Sequence, residues 1–168
     1  MTEQPAAEGA AAYACAHPEL SVGLHFELGD VELVRQLERF GELLGRDPTH
    51  LDSHRHVHLR EPARSALLEL AGELGVPLRH FDERVRYCGE FYGQTEEGDP
   101  RPDSITVESL IVLIDSLPEG TTELGCHPGE AEELVSRYVD ERPRELEALC
   151  DPRVREVLER AGIELRSF

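Results

Sequence analysis

Apolar positions along the chain alternate between two periods, and each change of period marks an element. Leu33, Val34, Leu37, Phe40, Gly41 and Leu44 recur at helical spacing, which predicts an amphipathic helix over residues 31–44 with Asp30 as its N-cap and Gly45 as its stop. Pro62 stands where a first helical residue belongs; Leu67, Leu70, Ala71 and Leu74 repeat on one face behind it, and Gly75 follows. Leu110, Leu113, Ile114 and Leu117 predict a helix from Val107 capped by Thr106. Val154, Val157, Leu158 and Ala161 predict a last helix between Asp151-Pro152 and Gly162. An Ala-rich helix over residues 6–15 and an acidic-led one over 130–139 complete the set. Between them, residues 20–28, 50–58, 76–81, 121–126 and 163–168 read as strands, and residues 82–103, rich in Gly, Pro and Tyr without a period, as a long functional loop. Strand and helix alternate throughout. The expected fold is therefore α/β with mostly parallel strands, open or rolled into a partial barrel, with functional groups at the carboxyl ends of the strands.

One strand changes the picture. A strand of period two through His50-Leu51-Asp52-Ser53-His54-Arg55-His56-Val57-His58 would point Asp52, His54, His56 and His58 to one face. Neutral imidazole is a good ligand for zinc and similar ions, and a neighbouring carboxylate commonly fixes the tautomer of a ligating His, so this face suits a metal site. His25 and His127 each fall near the carboxyl end of a predicted strand, where such folds gather their chemistry.

Composition narrows the class. The 168 residues fit one domain but are short for eight β/α units. The 35 acidic against 17 basic residues give a net charge of -18, which repels a phosphate backbone and makes nucleic acid an unsuitable partner. Four widely spaced cysteines without a C-x-x-C pair predict neither a disulfide framework nor a zinc knuckle and fit a reducing cytoplasm. No apolar run approaches the ~20 residues of a membrane span, and the start has no export signal, so neither a membrane nor export is expected.

Three motifs then occur in order: Val22-Gly23-Leu24-His25; His50-Leu51-Asp52-Ser53-His54-x-His56-x-His58; and Glu123-Leu124-Gly125-Cys126-His127-Pro128-Gly129. The chain closes with Arg142-x-x-Glu145-Leu146 and Gly162-Ile163-x-Leu165-x-Ser167-Phe168. From about Ala6 to Phe168 the sequence resembles the YdjC-like (chitooligosaccharide) carbohydrate deacetylases. The resemblance implies a modified (β/α) barrel that removes the acetyl group from N-acetylated amino sugars with a divalent metal ion, zinc or magnesium, held by one Asp and two His. By motif the two histidines are His25 and His54, with His56 or His58 as alternatives on the same predicted face. His127 is the candidate acid, Asp52 a candidate carboxylate for the chemistry, and Arg79 and Tyr92 candidates for contact with a small carbohydrate substrate.

The chain departs from that pattern at its beginning. Members start with a strand ending Asp-Asp-Phe-Gly, which supplies the third metal ligand and the base, and nothing before Ala6 matches it. The expectation is a single, N-terminally truncated domain with an exposed strand edge that favours self-association. Such a chain is either a hydrolase inactive as it stands or a non-catalytic metal- or partner-binding remnant. Metal-dependent phosphate hydrolysis, which also uses His-x-His strands, is disfavoured by the acidic charge.

Overall fold

The computed structural model describes residues 2, 4–29, 32–95, 97–130 and 137–168. They gather into two compact units, residues 1–82 with 166–168 and residues 83–165.

In the first unit, α1 (Ala7–Ala16) precedes β1 (Leu24–Phe26), α2 (Leu33–Leu44), β2 (Leu51–Ser53) and α3 (Ala63–Leu74). Strands β1 and β2 are parallel, which requires a crossover, and α2 supplies it. The stripe predicted for α2 buries Phe40 with Leu24, Phe26, Leu51, Leu67, Leu70 and Leu78 in one core, and Leu37 and Leu44 pack against it. Gly45 and Gly75 end α2 and α3 with φ of 65° and 67°, the left-handed cap that a Cβ disfavours. The predicted cap and first residue of α2, Asp30 and Val31, lie outside the described residues.

Two strand expectations are corrected here. Residues 76–81 shrink to a single parallel bridge between Leu51 and Leu78, with Leu51 N–H donating to Pro77 O and Arg79 N–H to Leu51 O. Residues 163–168 form no strand; the end of the chain is fixed instead by Ser21, whose hydroxyl donates to Phe168 O (2.6 Å), and by Phe168 stacking on His50 (4.2 Å between ring centroids).

In the second unit, β3 (Val85–Cys88) pairs in parallel with β4 (Thr121–Leu124) across α4 (Val107–Ser116), and α5 (Glu141–Cys150) and α6 (Pro152–Ala161) follow. Phe91, Ile105, Leu110, Ile114, Ala148, Val154 and Val157 form its core. Thr106 caps α4 as expected: its hydroxyl accepts from Ser109 N–H (3.1 Å) and its own N–H donates to Ser109 Oγ (2.9 Å). Asp151 likewise caps α6 through Arg153 N–H (2.9 Å). The stretch read as a loop, 82–103, contains β3. The helix expected over 130–139 falls largely on residues 131–136, outside the described set. Helix α5 had no counterpart in the pattern, because Pro143 interrupts its polar start; as the third residue of the helix it sits in the first turn, where backbone N–H groups have no helical partner. The architecture is thus α/β with short parallel strand pairs, and no barrel closes among the described residues.

Candidate active site

Register builds the first cluster. His25 on β1 lies directly opposite Asp52 on β2, so both side chains project from the same face, and His25 Nδ1 meets Asp52 Oδ2 at 2.8 Å. The same carboxylate oxygen accepts from Arg79 Nη1 at 2.5 Å, Arg79 being carried there by the Leu51–Leu78 bridge. Burial alone would raise the Asp52 carboxyl; the His25 hydrogen bond and the charges of His25, Arg79 and His50 outweigh it and hold the group below the usual carboxylate value. His54, the first residue beyond β2, sets its ring edge-on to His25 with centroids 5.8 Å apart. Burial, then the charges of His25 and Arg55, lowers its proton affinity and favours the neutral, ligating form.

Beyond Ser53 the strand ends, which corrects the period-two expectation. Residues 54–59 make a tight 3₁₀ turn in which Arg55 and His56 take left-handed conformations, φ 51° each. Ser53 drives the turn: its hydroxyl accepts the His58 backbone N–H (3.0 Å) and pairs with His58 Nδ1 (2.6 Å), folding the chain back instead of letting it run extended. His54, His56 and His58 therefore do not share a strand face. His54 stays with His25, while His56 and His58 turn to His80, with ring centroids 5.1–5.6 Å apart.

His127 belongs to the second unit. Its backbone N–H donates to the Glu145 carboxylate, and the Tyr138 hydroxyl donates to the other oxygen of the same group. Tyr138 in turn accepts Gly93 N–H (2.8 Å), its ring lies nearly parallel to Tyr92 (4.7 Å, 5°), and both rings meet His127 edge-on at 5.6 and 5.4 Å. Arg142 donates to His127 O (3.3 Å). Glu145 is fully buried, and burial raises its carboxyl above the ordinary value against the pull of its hydrogen bonds. Burial also raises the Tyr138 hydroxyl, which stays protonated as a donor. Gly125 leads into this turn because a Cβ there would come within 2.3 Å of the Tyr87 hydroxyl oxygen.

Of the residues singled out by sequence, His25, Asp52, His54 and Arg79 come together, His56 joins a different imidazole group, and Tyr92 meets His127. Sequence reasoning missed Glu145, Tyr138 and His80. Glu145 did lie in the closing Arg142-x-x-Glu145 motif, a signal for its place if not for its burial.

The YdjC-like protein family model matches residues 30–160. A carbohydrate deacetylase of Geobacillus stearothermophilus is 32% identical, the match taking in the whole chain and 83% of that relative. A chitooligosaccharide deacetylase of Yersinia enterocolitica is 30% identical over 82% of this chain, and the matched part spans 58% of that protein's length. Among solved structures, one described as a suggested cellobiose-phosphate cleavage protein of Enterococcus faecalis superposes with a TM-score of 0.77 at 22% identity, over 99% of this chain and 84% of that one.

Proposed function

Since the chain belongs to the YdjC-like protein family, we propose that it is a hydrolase domain that removes the acetyl group from N-acetylated amino sugars of the chitooligosaccharide type, using a divalent ion, zinc or magnesium. The observation that carries this reading is the Asp52–His25 hydrogen bond beside His54. A neutral His25 must place its proton on Nδ1 to meet the carboxylate, which leaves Nε2 as a lone pair, the arrangement of a ligating histidine oriented by an acid. His25 and His54 thus fit an ion with open positions. Bound there, the ion would polarise the amide carbonyl and lower the pKa of a water.

The remaining roles rest on this chain's own groups. Asp52, kept ionised, orients His25. A guanidinium has five N–H donors, so Arg79 can hold Asp52 and also address a substrate oxygen. His127, its backbone fixed by Glu145, returns a proton to the leaving amine, and Tyr92 offers an aromatic surface to the sugar. That residues 1–168 act as one catalytic domain is part of the same proposal, as is cytoplasmic residence, supported by four cysteines that form no disulfide. No helix among the described residues is long and apolar enough to cross a membrane.

One observation favours a second reading, a metal-binding protein without turnover: Asp52 is engaged by both His25 and Arg79 and is a poor base. Acetate release from N-acetylglucosamine oligomers, with zinc or magnesium added, separates the two. The hydrolase reading expects turnover that His127→Ala slows by about 10²–10⁴-fold at unchanged metal affinity, whereas His25→Ala weakens both. Metal binding without any acetate release would select the second.

A further inference from the structure

A second imidazole cluster, which the proposed chemistry does not use, lies in the first unit. His56, His58 and His80 each offer a ring nitrogen, and these three atoms all lie within 4.8 Å of one another. With Zn–N bonds of ~2.0–2.1 Å and tetrahedral angles, three ligating rings have centroids roughly 5 Å apart. The observed separations are 5.1 Å (His56–His80), 5.4 Å (His58–His80) and 5.6 Å (His56–His58).

Two independent observations point to a ligand. His58 is completely buried, yet its Nε2 has no hydrogen-bond partner among the described residues. Ser53 Oγ takes up the Nδ1 side, and when Nδ1–H donates to it, Nε2 is left as a lone pair with no donor among the described residues. The second is backbone strain: among the described residues, the three non-glycine residues with positive φ are Arg55 (51°), His56 (51°) and His80 (70°), so two of the three rings are presented from conformations that L residues avoid. Arg79, next to His80, opposes a cation, but Asp52 pairs with it at 2.5 Å and offsets much of its charge.

We propose that His56, His58 and His80 form a zinc site separate from the His25–His54 pair, tying the 54–59 turn to the turn that follows Leu78. Three neutral imidazoles suit zinc over magnesium, which prefers oxygen ligands. The exposed ring of His80 closes the site by rotation and leaves the fourth position open to water. The proposal extends the reading of the His25–His54 pair without depending on it.

Zinc titration into the metal-stripped chain tests it. The His25→Ala/His54→Ala protein should still bind one equivalent, and X-ray absorption on that zinc-loaded variant should show three imidazole nitrogens at ~2.0–2.1 Å. His80→Ala, an exposed substitution whose folding circular dichroism checks, should weaken that equivalent on the order of a hundredfold or more, since losing a ligand exceeds the effect of losing its outer support. A single equivalent abolished by His80→Ala would support the three-histidine site and overturn the His25–His54 pair. Loss of all binding in His25→Ala/His54→Ala, or unchanged binding in His80→Ala, would overturn the three-histidine site, and the absorption spectrum decides even if His80→Ala fails to fold.

Discussion

Asp52 in the first unit and Glu145 in the second are buried carboxylates beside a histidine, and the two are held in opposite ways. Asp52 faces a guanidinium and an imidazole, so partner charge prevails over burial and the group is kept ionised. Glu145 faces a hydroxyl and a backbone N–H, Arg142 contributing less, so burial prevails and its proton affinity rises. The histidines differ accordingly. Asp52 engages the ring of His25 and so sets which nitrogen is available, whereas Glu145 engages the backbone of His127 and so sets where the residue sits while leaving its ring chemistry to other neighbours. Burial of an acid therefore does not specify its role; the charge of what it meets does.

The largest expected effect follows from removing the charged partner. Asp52→Ala removes the carboxylate that Arg79 meets in a site where the Arg79 side chain is 16% exposed, and losing one member of a buried ion pair costs roughly 3–5 kcal/mol. Urea denaturation should register that loss, while Arg79→Met/Asp52→Ala should recover part of it, because both members of the pair are gone. A double variant as unstable as Asp52→Ala alone would show that the ion pair is not what holds this corner. Metal affinity should fall about 10–100-fold in Asp52→Ala, as for loss of an acid behind a ligating histidine.

Apart from α5, the helices of both units were legible because each signal was local. A stripe of Leu and Val, a cap such as Thr106 or Asp151 and a stop at Gly45, Gly75 or Gly162 lie within a dozen residues of one another and agree. His25 and Asp52 were legible as strand residues, since β1 and β2 keep them opposite each other, and His54, the first residue beyond β2, still stands beside His25. What failed depended on contacts that a pattern does not carry. His54, His56 and His58 alternate as a strand would, yet the Ser53 hydroxyl captures the His58 N–H and the chain turns left-handed at Arg55. Strand β3 has four half-buried or exposed residues and no alternation to reveal it. Glu145 looks like one more acid on a charged helix; only the packing of Tyr138 and the 127 turn buries it.

The second unit yields a smaller and pH-dependent effect. A carboxyl whose proton affinity is raised by folding binds more protons in the folded than in the unfolded chain, so stability is greatest below the ordinary Glu value near 4.5 and declines as pH rises through the folded-state value. Glu145→Gln should cost about 1–3 kcal/mol at acid pH, because the amide puts an NH2 group, which cannot accept a hydrogen bond, where Glu145 has a second oxygen. Gln does not titrate, so the gap between wild type and variant should narrow from pH 5 to pH 8. A gap that widens over that range would mean Glu145 is held ionised like Asp52, and the contrast between the units would collapse.

The smallest effect sharpens the contrast by exchanging one neutral donor. Tyr138→Phe keeps the ring that stacks on Tyr92 but removes the hydroxyl that donates to Glu145 and accepts Gly93 N–H, a loss of about 1 kcal/mol in thermal or urea unfolding. The direction of its pH dependence is the informative part. The Tyr138 hydrogen bond works to lower the Glu145 carboxyl, so without it the folded-state value climbs further and the decline in stability extends to higher pH than in the wild type. The corresponding change in the first unit, Arg79→Met, removes a charge instead of a dipole and should raise the Asp52 carboxyl from below its ordinary value, so that stability is lost at higher pH on acidification. Both substitutions raise a folded-state carboxyl, so relative to wild type each should lose stability as pH rises; a larger change for Arg79→Met, read from midpoints between pH 4 and pH 8, would place the difference in partner charge, and equal changes would place it in burial alone.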